Sequence, residues 1–268
     1  MKRKAVTGIF LAAVLLFSGC LQLDSSSQAP PQTEGPGGVQ EEAAPDVPTP
    51  DDPTPDGPAQ SQKLKDDIAA GYLILVNKEN GLSRDYKPAD LKDIKYFATD
   101  RSAEGRFMRA AAVDAFHSLV EEAAEQGMEL VMTTAYRSYG FQATLYNNYV
   151  ASDGQAAADR YSARPGFSEH QTGLAVDIST AKVGYKLTLE FAETAEGKWL
   201  AENAHRFGFI ERYPKDKEEI TGYRFEPWHL RYVGDGAAEY IRTNDITFEE
   251  YIQFLENETE EQNGGIFQ

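Results

Sequence analysis

The chain has 268 residues, with 26 Lys plus Arg against 43 Asp plus Glu and a mean hydropathy of -0.51. A formal net charge of -17 argues against a nucleic-acid binder, which needs a basic stripe to neutralise phosphates. A single cysteine rules out an intramolecular disulfide and a Cys-rich zinc site, so any metal must sit on histidine and carboxylate ligands.

Residues 1–19 read as a secretory signal, with Lys2, Arg3 and Lys4 as the basic start and an apolar run from Ile9 to Phe17 that is too short to span a bilayer. The run ends in L-F-S-G-C and resembles a bacterial lipobox. That resemblance implies cleavage before Cys20 and lipidation of its thiol, hence a membrane anchor outside the cytoplasm facing the cell wall. Residues 21–60 hold nine of the thirteen prolines, eight acidic residues, no Lys or Arg and no aromatic residue. Such a segment buries too little apolar surface to offset its ordering entropy and is predicted to be disordered. With Cys20 it forms a lipid-anchored tether over 20–60, which reaches at most about 120 Å at roughly 3.1 Å per residue in polyproline II form. Residues 61–258 are predicted to be one domain and residues 259–268 a solvated, disordered tail.

Within the domain, Tyr72 to Asn77 has strand character and Asn80-Gly81 marks a turn. Apolar residues at helical spacing from Glu104 to Gln126 predict one long amphipathic helix that stops at Gly127. Glu129 to Ala135 reads as a strand, and Ser138 can cap a helix running through Tyr149. Leu174 to Ser179 is a strand, Gly197 to Phe207 a helix and Trp228 to Val233 a strand. Thr247 and Glu250 form a capping box for a last helix ending near Leu255. Without regular βαβ units, the fold class is α+β: a small, mainly antiparallel sheet with flanking helices.

Three segments carry the chemistry. In S-E-H-Q-T-G-L-A-V-D, alternation puts Gly173, Ala175 and Asp177 on one strand face and Leu174, Val176 and Ile178 on the other. One face packs into the core, while the other is cleared of bulk around a single carboxylate, and His170 lies on the loop leading in. In F-E-P-W-H-L-R-Y-V, Glu226 precedes His229 by three positions, and Pro227 bends the chain so that both can face one site. This differs from the helical H-E-x-x-H of zincins. His117 and His205 lie among ordinary helical surface residues and are read as structural. His170, Asp177 and His229 then make a three-ligand set with a fourth position for water, as a catalytic zinc requires, and Glu226 can accept the proton of that water. In T-A-Y-R-S-Y-G-F-Q, Arg137 ends a strand and Ser138 opens a helix whose free N–H groups favour an anion, with Gln142 one turn in. Beside a hydrolytic metal, an arginine that can grip a carboxylate bidentately points to a substrate with a free C-terminal carboxylate.

These segments occur in order with V-N-K-x-N-x-L at 76–82 and W-L-x-x-N-A-H-R-F-G-F-I-x-R-Y-P at 199–214. Together they resemble the VanY-type zinc D-alanyl-D-alanine carboxypeptidases and the related LdcB-type L,D-carboxypeptidases of bacterial cell walls. The resemblance implies a hedgehog/D-Ala-D-Ala-peptidase-like fold and one zinc ion on His170, Asp177 and His229. It also implies Glu226 as catalytic base, Arg137 binding or polarising the substrate, and Gln142 and Ser168 near its terminal carboxylate. The expected reaction is hydrolysis of the peptide bond before a terminal D-Ala of a peptidoglycan stem, by a monomer. Two alternatives stand beside this D,D reading: an L,D-carboxypeptidase acting on tetrapeptide stems, and a wall-binding module whose zinc is structural.

Overall fold

The strand predicted around Asp177 and the strand predicted around His229 lie side by side at the centre of the fold. The structure is a computed structural model that describes residues 58–98 and 103–264. The signal segment, Cys20 and all but the end of the tether lie outside the described residues, as do residues 265–268.

Helix α1 (Pro58–Ala69) is followed by a two-stranded antiparallel ribbon of β1 (Leu91–Asp93) and β2 (Phe107–Arg109). Helix α2 (Ala110–Glu125), strand β3 (Val131–Thr134) and helices α3 (Tyr139–Asp153) and α4 (Gln155–Tyr161) come next. Then follow β4 (Ala175–Ser179), α5 (Ala195–Asn203), β5 (Phe209–Glu211), α6 (Glu218–Thr221), β6 (His229–Tyr232), α7 (Asp235–Asn244) and α8 (Phe248–Gly264). The main sheet has the order β3-β4-β6-β5 and is antiparallel at every pairing, so the α+β class holds.

Alternation along the central strands does the sorting. Leu174, Val176 and Ile178 are fully buried and enter the main core, where they meet Leu230 from β6 and Phe116 and Leu119 from α2. Asp177 and His229 therefore sit on the other face. A second cluster, built on Ile210, Val233, Ile241 and Phe248, fastens α7 and α8 to β5.

Several predicted elements differ in the structure. The helix expected from Glu104 is a 3-10 turn at Glu104–Arg106 and a strand at Phe107–Arg109, and the α-helix begins only at Ala110. Long-range backbone bonds override the local period: Arg109 N donates to Gly173 O at 2.8 Å and Tyr136 N to Phe107 O at 2.9 Å. The Tyr72–Asn77 run joins no ladder; the carbonyls of Tyr72 and Ile74 instead accept Nη2 of Arg231 at 2.8 and 2.7 Å. Helix α5 gives way to a 3-10 turn at Ala204, and α8 runs past Leu255 to Gly264, through residues rich in the good helix formers Glu and Gln. The stop of α2 at Gly127, the Ser138 cap of α3 and the capping box that opens α8 are as expected, while α3 runs beyond Tyr149 to Asp153. Gly127, at φ +78, closes α2 through bonds from its own N to Ala124 O and from Met128 N to Ala123 O. Ser138 Oγ accepts Phe141 N at 3.2 Å, and Thr247 and Glu250 exchange the two bonds of a capping box.

Helix α1, which carries no clear apolar stripe in sequence, docks beside the start of α7 through Asp67. That side chain is buried against Gly234, and its Oδ2 has no partner among the described residues. Burial, with Asp235 and Asp66 nearby and Lys63 opposing, pushes its carboxyl from 3.8 up to about 6. The folded state thus holds this proton more tightly than the unfolded chain does, and stability falls as pH rises between those two values. Asp67→Asn is expected to raise Tm at pH 7 by a few degrees, equivalent to about 1–2 kcal/mol, and to give no gain near pH 4. Thermal melts at the two pH values check this; an equal gain at both would contradict it.

Candidate metal centre and active site

Strand register places the first two site residues. In the β4–β6 pairing Asp177 lies directly opposite His229, and His229 Nδ1 is 2.9 Å from Asp177 Oδ1. The third comes from the 3-10 turn Glu169–Thr172, which ends in Gly173 at φ +68. A Cβ at Gly173 would meet Leu91, Arg109 and Pro88, so only glycine lets the chain reverse there into β4. The reversal brings His170 back over the strand, with Nε2 3.4 Å from Asp177 Oδ2. One donor atom from each of His170, Asp177 and His229 then lies within 4.8 Å of the others, and all three residues are buried.

The donor set fits zinc: two imidazole nitrogens and a carboxylate oxygen, with room on the cleft side for a fourth position. Hydrogen bonds fix which nitrogen each ring offers. His170 Nδ1 lies 2.6 Å from the Ala135 carbonyl and must donate to it, leaving Nε2 free. His229 Nε2 lies 3.4 Å from Glu169 Oε2, leaving Nδ1 toward Asp177. Burial, helped by the Arg137 charge, pushes His170 down to about 4, so it is neutral and able to ligate. Burial also pulls His229 down, but its hydrogen bonds to Asp177 and Glu169 outweigh that and carry it up to about 9; a cation at Nδ1 competes with that proton. Burial opposes ionisation of Asp177 as well, yet the two imidazoles hold its carboxyl well below the usual range.

Glu226 stands beside the cluster rather than in it. Its Oε2 is 4.0 Å from His229 Nδ1, its side chain keeps 20% exposure, and burial pushes its carboxyl up to about 7. Arg137 meets the cluster through Asp177, with Nη2 donating to Asp177 Oδ2 at 3.2 Å and Nη1 to Gln142 Oε1 at 3.1 Å. Gln142 is fully buried behind Arg137 and anchored through Nε2 to the Ala163 carbonyl at 2.7 Å, so here it orients the arginine. Ser168 is buried in the cleft wall. The start of α3 is engaged differently from the expectation: Ser138 N donates to Glu104 Oε1 at 2.8 Å, and Ser138 lies outside the cleft lining. The cationic charge of this segment at the site is that of Arg137. His117 has a structural role, its Nε2 accepting Lys95 N at 3.1 Å.

Of the expected site residues, Arg137, Ser168, His170, Glu226 and His229 line a cleft of about 860 Å³, whereas Asp177 and Gln142 lie behind its surface. Leu145, Tyr149, Leu187 and Leu189 add apolar side chains to its lining. Two features escaped the sequence reading. Tyr213 also lines the cleft, its ring 4.9 Å from that of His229. Glu169, next to His170, is fully buried between Arg212 and Arg231, which hold its carboxyl well below the usual range although burial alone would raise it. A readable signal existed for Arg231: two positions after His229, it shares that residue's strand face.

Residues 105–235, which span Arg137, the metal cluster and Glu226, match the family model described as VanY, D-alanyl-D-alanine carboxypeptidase. YodJ of Bacillus subtilis (strain 168) is 46% identical over 183 residues, which cover 68% of this chain and 67% of YodJ. The chain belongs to the VanY family. Solved structures of VanY-type peptidases share its fold. The LdcB LD-carboxypeptidase superposes with a TM-score of 0.66 at 45% identity, covering 68% of this chain and 86% of LdcB. A vancomycin-resistance D,D-pentapeptidase VanY from a VanB-type cassette, solved in complex with Zn(II), gives 0.56 at 35% identity, covering 68% and 98%.

Proposed function

We propose that the protein is a zinc-dependent peptidoglycan carboxypeptidase that removes the C-terminal D-Ala of stem peptides. The observation that carries this reading is the buried His170, Asp177 and His229 cluster, whose two histidines line a cleft, with Glu226 beside His229 and Arg137 bonded to Asp177. Zinc bound by that cluster supplies a Lewis acid for the scissile carbonyl and a water acidified towards a pKa of about 7. Glu226 takes the proton of the attacking water as the new C–O bond forms, and it returns that proton to the departing amine of D-Ala as the C–N bond breaks. Arg137, held in place by Asp177 and Gln142, keeps its remaining donors for the substrate's carboxylate or for the charge developing on the carbonyl oxygen. The open cleft and Glu226 speak for catalysis over a purely structural zinc.

The sequence motifs do not separate the two stem lengths; the likeness to LdcB, 45% identical against 35% for the D,D-pentapeptidase, supports L,D action on tetrapeptide stems over the D,D action taken first from the family resemblance. On that reading tetrapeptide muropeptides are cut with a kcat/KM about tenfold or more above that for pentapeptides, a difference of about 1.4 kcal/mol in transition-state binding. Parallel digests with products identified by mass check this; preferential cutting of D-Ala-D-Ala ends restores the D,D reading. We further propose that the enzyme works as a monomer on a membrane-attached leash, through a lipidated Cys20 and the acidic, proline-rich segment 21–60.

A further inference from the structure

Behind His229 lies a buried charge cluster that ends on the ring nitrogen turned away from the metal position. Glu169 receives both of its arginines on one oxygen: Arg212 Nε donates to Oε1 at 2.8 Å and Arg231 Nη1 at 2.7 Å. Oε2 is thereby left facing His229 Nε2 at 3.4 Å. The arginines are themselves pinned. Arg212 forks onto Glu249 of α8 with bonds of 2.8 and 2.6 Å, and Arg231 donates through Nη2 to the carbonyls of Tyr72 and Ile74 and through Nε to that of Tyr232. Two guanidinium groups thus face two carboxylates, and Glu169 has no freedom to turn.

A histidine that binds a metal through one nitrogen must carry its proton on the other, and the acceptor facing that second nitrogen selects the tautomer. His170 uses the Ala135 carbonyl for this purpose at Nδ1. At His229 the acceptor that faces Nε2 is Glu169. A counter-ion for the arginines alone would not need its second oxygen aimed at the ring.

We propose that Glu169 is a positioning residue of the metal centre: clamped by Arg212 and Arg231, it holds His229 in the Nε2–H tautomer and so presents Nδ1 to the metal. This rests on the zinc reading of the His170, Asp177 and His229 cluster. In Glu169→Gln the amide oxygen goes to the arginines, and the NH2 group then faces Nε2 and favours the opposite tautomer. Glu249→Gln removes a carboxylate from the same cluster without touching His229.

The test measures zinc dissociation constants of the full chain by competition with a chromogenic chelator, alongside Tm. Both variants are expected to lose stability. Only Glu169→Gln is expected to bind zinc about 10- to 100-fold more weakly, with Glu249→Gln within about threefold of the wild type. Equal losses in the two variants, or wild-type affinity in Glu169→Gln, would overturn the proposal. Should Glu169→Gln not fold, nitrogen-15 NMR of the zinc-loaded wild type decides. A protonated Nε2 with a metal-shifted Nδ1 at His229 is expected, and a protonated Nδ1 overturns the assignment. A wild type that binds no zinc would sink the zinc reading itself, and this proposal with it, whereas a zinc-loaded protein with the other tautomer sinks this proposal alone.

Discussion

Glu226→Ala is expected to lower kcat by about two to four orders of magnitude while the protein still binds one zinc ion. The separation follows from geometry. The donor atoms of His170, Asp177 and His229 close on one point, whereas Glu226 reaches only to 4.0 Å from His229 Nδ1 and keeps a face toward the cleft. Burial pushes its carboxyl up to about 7, a value suited to a group that takes a proton and returns it within one turnover near neutral pH. The same burial makes an ionised Glu226 a burden on the folded state, so Tm in the variant is expected to be unchanged or slightly higher. Metal content, Tm and turnover measured on one preparation decide the matter. Activity within tenfold of wild type would remove Glu226 from the base role, and loss of zinc would make it a ligand.

Asp177→Ala is expected to act on the metal itself, weakening zinc binding by at least about 100-fold and abolishing turnover. Asp177 lies at the centre of the cluster: one oxygen faces His229 Nδ1 at 2.9 Å, and the other faces His170 at 3.4 Å and accepts Arg137 at 3.2 Å. Removing it leaves Arg137 without its buried partner, so a loss of up to about 3–5 kcal/mol in stability accompanies the loss of metal. His170→Ala shares the metal defect but spares the Asp177–Arg137 pair, and it should be the milder of the two in Tm. Full zinc content in both variants would refute the ligand set.

The His170 and Asp177 half of the candidate metal site could be read in advance because its spacing is local. Alternation alone separates Asp177 from Leu174, Val176 and Ile178, and the turn before Gly173 returns His170 to the same strand. That Asp177 faces His229 across two strands could only be inferred from chemistry, since register depends on pairing between distant segments. The same limit explains the errors. Phe107 to Arg109 has helical spacing, yet it pairs with β1 and is held extended by a bond from Arg109 N to Gly173 O and one from Tyr136 N to Phe107 O, and Tyr72 to Ile74 is strand-like but is held by an arginine instead of a ladder. Arg212 and Tyr213 lie in the R-Y-P run at 212–214, to which no local pattern gives a role. Their partners Glu169 and His229 lie 43 residues before Arg212 and on strand β6, beyond the reach of any local pattern.

Zinc held by this cluster is expected to drive removal of terminal D-Ala from peptidoglycan stems. The most direct test is to incubate the zinc-loaded protein with muropeptides ending in D-Ala, with and without a chelator, and to follow free D-Ala by mass. Release by the loaded protein is expected, with loss of release when zinc is stripped and recovery when one equivalent is restored. Release that persists in the stripped protein, or none from the zinc-loaded protein on either stem length, would contradict this.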